Sequence, residues 1–157
     1  MKKLIFVGIG VIVITTGLLS YYIYLQGIDT KYAIKYAQIF ASYDIKQVDQ
    51  YLDKETIISY NGTSKTYKHL RENVIKAFGA RKFKITEYSS YGCGNNKFVN
   101  RVQEVNIQSY VSYNNKSLEV PIIMQLEIIG LNKFKVKSLS SNDKFFGYLF
   151  FGIDYKE

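Results

Sequence analysis

Leu4 to Leu25 is an unbroken run of twenty-two uncharged, mostly apolar residues, set directly behind Met1-Lys2-Lys3. As a helix rising about 1.5 Å per residue it measures roughly 33 Å, enough to cross a hydrocarbon core of about 30 Å. The run exceeds the apolar core of a cleaved secretory signal, and no Ala-x-Ala site follows it. No cysteine stands near it for lipid modification. Tyr21, Tyr22 and Tyr24 at its far end suit the aromatic belt of a membrane interface. The pattern predicts an uncleaved anchor over residues 1–28, contacting the bilayer through residues 4–25, and a domain over 29–157. Lys2 and Lys3 before the span are matched by Lys31 and Lys35 after it, so the basic count near the span does not choose a side. A domain of this length translocates largely regardless of its own charge. The expectation is therefore a single-pass cell-membrane protein with its C-terminal domain outside.

Beyond the run the period becomes amphipathic. Tyr32, Tyr36, Ile39, Phe40 and Tyr43 recur at helical spacing after a cap at Asp29 or Thr30. Asp44 reads as a second cap, ahead of a short helix carrying Ile45, Val48, Tyr51 and Leu52. Thr56 to Tyr60 is a short β-rich run ended by the turn signal Asn61-Gly62. Thr63 or Ser64 is expected to start a third helix from Lys65 to Phe78, with Gly79 closing it.

After Gly79 the period falls to two. Lys82–Ser90 alternates, Gly92 to Asn96 makes a turn around Cys93, and Phe98–Tyr113 is a long strand closed by Asn114-Asn115. Leu118–Ile129 alternates most cleanly, with Leu118, Val120, Ile122, Met124, Leu126 and Ile128 on one side. Phe134–Leu139 is a further strand, and Phe145–Ile153 an apolar tail that makes either a last strand or a flap over the core. Helices followed by a meander of strands predict an α+β domain, with three helices packed on a curved antiparallel sheet.

This order of elements, over roughly residues 30–140, resembles the nuclear transport factor 2-like (NTF2-like) superfamily. The resemblance is one of topology and implies a curved sheet wrapped round a pocket, used for catalysis, ligand binding or protein contacts. A lone anchor before such a domain also resembles scaffold components of type IV secretion and conjugation machines, which carry a longer cytoplasmic head. A cystatin-like helix-plus-sheet module is the competing fold.

Composition narrows the function less than the fold. Residues 26–157 number 132, one ordinary domain able to bury its own core. Net charge is +8, or +6 without Lys2 and Lys3, which suits a soluble surface, an anionic bilayer or another acidic partner. The single cysteine, Cys93, forbids an internal disulfide. His69, the only histidine, falls with Lys65, Glu72 and Lys76 opposite the apolar face of its helix and reads as a surface residue. One histidine and one cysteine make no metal cluster, and no phosphate loop is present, so no metal and no cofactor are expected.

Two groups remain as candidates. Enzymes of the resembled family that isomerise or cyclise ketones use acids and a tyrosine in the pocket. Glu87, sharing parity with Phe83 and Ile85, with Tyr36 and Tyr67, is the set that would supply a base and an oxyanion donor. Lys82, Lys84, Lys133, Lys135 and Lys137 would form a basic face if their strands shared one sheet. Aromatic rings do not interleave with these lysines, which disfavours nucleic acid. The reading is a membrane-anchored extracytoplasmic binding or assembly module without catalytic activity, with a protein partner or a second copy as occupant. The alternatives are a pocket enzyme or small-molecule binder of the same fold, and a scaffold component of a secretion or conjugation complex.

Overall fold

The computed structural model describes residues 2–91, 102–113, 116–130 and 133–155, leaving aside the side chains of residues 2–12, 22, 25, 26, 29 and 87–91. The Cys93 turn and the first residues of the long strand expected from Phe98 lie outside the described residues.

The first element is one continuous helix, α1 (Lys2–Ala41). The helix start expected at Asp29 or Thr30 is absent: the apolar run and the first domain helix are a single rod. A Cβ at Gly27 would meet nothing within 4 Å, so that glycine costs helix propensity without forcing a bend. Among the described residues no helix is long and apolar enough to cross a membrane. The C-terminal half is amphipathic as predicted. Ala33, Tyr36, Ala37, Ile39 and Phe40 are buried, while Lys31, Lys35 and Gln38 are exposed.

Helix α2 (Ile45–Tyr51) starts on the predicted cap, the Asp44 carboxylate accepting from the Lys46 N–H at 2.9 Å. Strand β1 (Ile57–Tyr60) then turns at Asn61-Gly62, but into a strand rather than a helix. The polar segment β2 (Thr63–Thr66) pairs back on β1, so α3 (Tyr67–Ala80) begins later than expected, after Thr66. Gly79 lies inside that helix. Arg81 takes the left-handed C-terminal position instead, at φ 48°.

Strands β3 (Phe83–Tyr91), β4 (Val102–Tyr113), β5 (Lys116–Gly130) and β6 (Lys133–Ser141) form the meander. The sheet has six strands in the order β2-β1-β6-β5-β4-β3. It is mixed rather than antiparallel, because β1 runs parallel to β6. Thr56 seals that junction by donating to the Val136 carbonyl at 3.0 Å. Register shifts at Ile85/Glu87, Gln125/Leu126 and Ile128/Gly130 insert extra residues that bend and twist the strands. Pro121 is tolerated in β5 because its carbonyl, and hence its missing N–H, faces the end of β6, where the Ser141 hydroxyl donates to that carbonyl at 2.6 Å.

The apolar tail is a flap, built as a helical turn rather than a strand. Asp143 caps α4 (Lys144–Phe146), which runs into a π-helical turn over Gly147–Phe151. Phe145, Phe146, Leu149 and Phe150 are buried by it and belong to the core. Gly147 makes room there for Tyr60, since a Cβ would come 2.7 Å from its ring and force one of the two to shift. Asn73 of α3 donates to the Phe150 carbonyl at 2.9 Å and ties the flap down. The concave side of the sheet is thus filled by rings: Phe40 lies 4.6 Å from Tyr36 and 5.7 Å from Phe150, and Phe83 lies 5.0 Å from Phe145.

Candidate functional site

Of the tyrosine–glutamate set, the described side chains are those of Tyr36 and Tyr67. Tyr36 is buried on α1 against Phe40, and burial pushes its hydroxyl far above the ordinary tyrosine range. Tyr67 opens α3, and its hydroxyl donates to Asp49 Oδ1 of α2 at 2.9 Å. Arg71 clasps the same carboxylate through Nε at 2.8 Å and Nη2 at 2.7 Å. The Arg71 hydrogen bonds, with that of Tyr67, hold the Asp49 carboxyl below its ordinary range, the opposite of what a general base needs. This Tyr–Asp–Arg clasp joins α2 to α3. Burial and the Asp49 carboxylate keep the Tyr67 proton in place.

Glu87 loses the parity that recommended it. Thr86 is the extra residue of the β3 bulge, so Ile85 sits opposite buried Val111 while Glu87 sits opposite Tyr110, on the other register of β4. The Glu87 side chain lies outside the described residues.

Lys84, Lys133, Lys135 and Lys137 stand on strands of one sheet and Lys82 just before β3, but the two groups lie at opposite ends of it. Lys84 lies opposite Ser112, itself opposite Ser117 near the start of β5; Lys135 lies opposite Glu127, near its end. The two groups stand about ten residues of strand apart, roughly 33 Å. Lys137 is the extra residue of the β6 bulge, and Lys135 is paired with Asp53 at 3.1 Å. His69 is exposed as expected, its Nδ1 2.8 Å from the Thr66 hydroxyl.

Two clefts are lined by described residues. The larger, about 670 Å³, opens where the C-terminal ends of α1 and α3 meet the start of β3. Arg81, Lys82 and Lys84 supply three positive charges, Tyr43, Phe83 and Ile85 an apolar floor, and among the described residues no acid lines it. Tyr43 and Arg81 both adopt positive φ, at 54° and 48°, a conformation rare for such side chains and concentrated at binding sites. Burial raises the Tyr43 hydroxyl and the Arg81 charge opposes that shift. Sequence reasoning named Lys82 and Lys84 but missed Tyr43 and Arg81. Their backbone geometry is set by two non-glycine helix ends, which no motif announces.

The smaller cleft, about 300 Å³, lies among α1, α2 and the β5–β6 hairpin. Tyr32 donates to the Phe134 carbonyl at 2.9 Å, and the buried Tyr51 hydroxyl donates to the Tyr32 carbonyl at 3.0 Å. Lys35 stands 5.6 Å over the Tyr51 ring. Neither Tyr36 nor Tyr67 lines either cleft. Among the described residues no group of His, Cys, Asp and Glu is placed to hold a metal.

No protein-family model and no curated protein matches the chain. Solved structures do share its architecture. An NTF2-like protein of unknown function from Shewanella oneidensis MR-1, 9% identical, superposes with a TM-score of 0.57 over 72% of this chain and 94% of its own. An NTF2-like protein from Cytophaga hutchinsonii ATCC 33406, 13% identical, does so with a TM-score of 0.51 over 71% and 92%. The fold is nuclear transport factor 2-like, α+β with helices on a curved mixed sheet. At such identities the likeness concerns the fold alone.

Proposed function

We propose that the chain is a membrane-anchored, extracytoplasmic binding module, held by residues 4–25 and offering the basic cleft beside β3 to an anionic partner. The observation that carries the reading is the projection of α1 beyond the domain. Val13, Ile14, Leu18, Leu19 and Ile23 are 59–65% exposed on a helix whose next turns are core. A helix apolar on every side belongs in an apolar surrounding, and a downstream domain of this length translocates largely regardless of its own charge.

Binding is preferred over catalysis on the residues themselves. The concave interior is filled by rings, Tyr67 is committed to Asp49, and the larger cleft brings cations and an apolar floor together, with no acid among its described lining residues. Three like charges over an apolar floor fit an anionic ligand with an apolar body, such as an acidic peptide.

Membrane fractionation tests the anchor. The full chain is expected to stay in the pellet through high salt and alkaline carbonate, and a chain lacking residues 1–25 to leave it. Protease added outside intact spheroplasts is expected to digest the domain. Recovery of the full chain in the soluble fraction overturns the anchor, and protection from protease overturns the outward placement. For the cleft, Lys84→Glu is expected to weaken binding of a short glutamate-rich peptide; unchanged binding removes the cleft from the proposal.

A further inference from the structure

Helix α1 and strand β5 run in opposite directions. Tyr43, just past the end of α1, packs 5.2 Å from Phe83, which lies opposite Tyr113 and through it Lys116 at the start of β5. About three turns earlier, Tyr32 donates to the carbonyl of Phe134, which lies opposite Ile128 near the end of β5. The β5–β6 hairpin therefore extends toward the N-terminal half of α1, the half that leaves the domain. From Leu25 to Tyr32 is seven residues, an axial rise of about 10 Å, so the hairpin stands within roughly one Debye length of the end of the apolar run.

That end of the domain is basic and carries an apolar tip. Lys31, Lys35 and Lys133 are exposed, and Ile129 between them is 58% exposed. Among the acids with described side chains nearby, Asp53 is engaged with Lys135 at 3.1 Å and Asp49 with Arg71 at 2.7 Å, and Glu127 lies opposite Lys135; the side chain of Asp29, two residues before Lys31, lies outside the described residues. Lys35 is directed across the Tyr51 ring beside the same hairpin. We propose that Lys31, Lys35 and Lys133, around the Ile129 tip, form a basic lip that rests on anionic lipid headgroups and fixes the tilt of the domain against the bilayer. The inference rests on the anchor reading and goes beyond it: an anchor alone leaves the domain standing clear of the surface. Charge complementarity selects the headgroup, and the partly apolar tip matches the interface below it. Each lysine held near an anionic surface shifts the docked population about fivefold.

The test uses the full chain with Ile129→Cys in a Cys93→Ser background, labelled with an environment-sensitive dye. It is reconstituted into vesicles of phosphatidylcholine alone or with one third phosphatidylglycerol. The expected result is flotation with both vesicles, but a brighter, blue-shifted dye only with phosphatidylglycerol, reversed by 0.5 M salt. Lys31→Ala with Lys35→Ala and Lys133→Ala is expected to abolish the shift while flotation persists. Flotation with both vesicles and the same emission in each overturns the lip and leaves the anchor standing. Failure to float overturns the anchor, and the lip with it.

Discussion

Along its first stretch helix α1 leaves Val13, Ile14, Leu18, Leu19 and Ile23 59–65% exposed, whereas between Ala33 and Phe40 the same helix buries Ala33, Tyr36, Ala37, Ile39 and Phe40. Both stretches are rich in apolar residues, and what separates them is the polar component. Lys31, Lys35 and Gln38 give the second stretch a wet face and therefore a defined dry one, which the sheet and the flap cover. The first stretch has no wet face to orient it. A side chain's destination is thus set by what shares its helix as much as by its own hydrophobicity.

Substitutions that swap the two environments probe this contrast directly. Phe40 is fully buried and packs against Tyr36, Phe78 and Phe150, so Phe40→Ala is expected to cost about 3–5 kcal/mol of domain stability. Leu18→Ala is expected to stay within about 0.5 kcal/mol of the parent. Denaturant unfolding of the full chain in micelles, followed by near-ultraviolet circular dichroism, measures both. In membranes the order reverses. Leu18→Lys is expected to weaken insertion by about 2.5–3.5 kcal/mol, seen as release by alkaline carbonate, without moving the unfolding midpoint of the domain.

Glycine sharpens the contrast at smaller scale. Gly147→Ala drives a methyl into the Tyr60 ring and is expected to destabilise by about 1–3 kcal/mol. Gly27→Ala meets open space and is expected to gain up to about 1 kcal/mol from helix propensity. The smallest effect is electrostatic. Arg71 and Tyr67 hold the Asp49 carboxyl below its ordinary value of 3.8, so the clasp contributes fully above that pH and loses its contribution as pH falls through the lowered value. Asp49→Asn is expected to flatten the acid limb of stability below about pH 4; an unchanged limb shows the clasp to be idle.

What was legible in the sequence is what local periodicity controls. The alternation of β5 buries Val120, Ile122, Met124 and Leu126 as read, and Asp44 caps α2. The misreadings have physical causes. Thr63–Thr66 is polar at every position and becomes a strand only because β1 offers it an edge. The parallel pairing of β1 with β6 joins segments some eighty residues apart, which no local pattern encodes. One extra residue, Thr86, inverts the alternation of β3 and dissolves the parity argument for Glu87. For the basic face, the residues were legible but not the register that sets Lys84 and Lys135 at opposite ends of β5. The larger cleft depends on positive φ at Tyr43 and Arg81, chosen by tertiary packing rather than by glycine.

The account turns on α1 being one rod that passes from the apolar run into the core. Spin labels at Leu18→Cys and Gln38→Cys, in a Cys93→Ser background and lipid nanodiscs, measure this by double electron–electron resonance. Twenty residues of unbroken helix predict a single narrow distance near about 30 Å. A broad or two-peaked distribution would place a hinge at Gly27, uncouple the apolar run from the domain, and contradict the account.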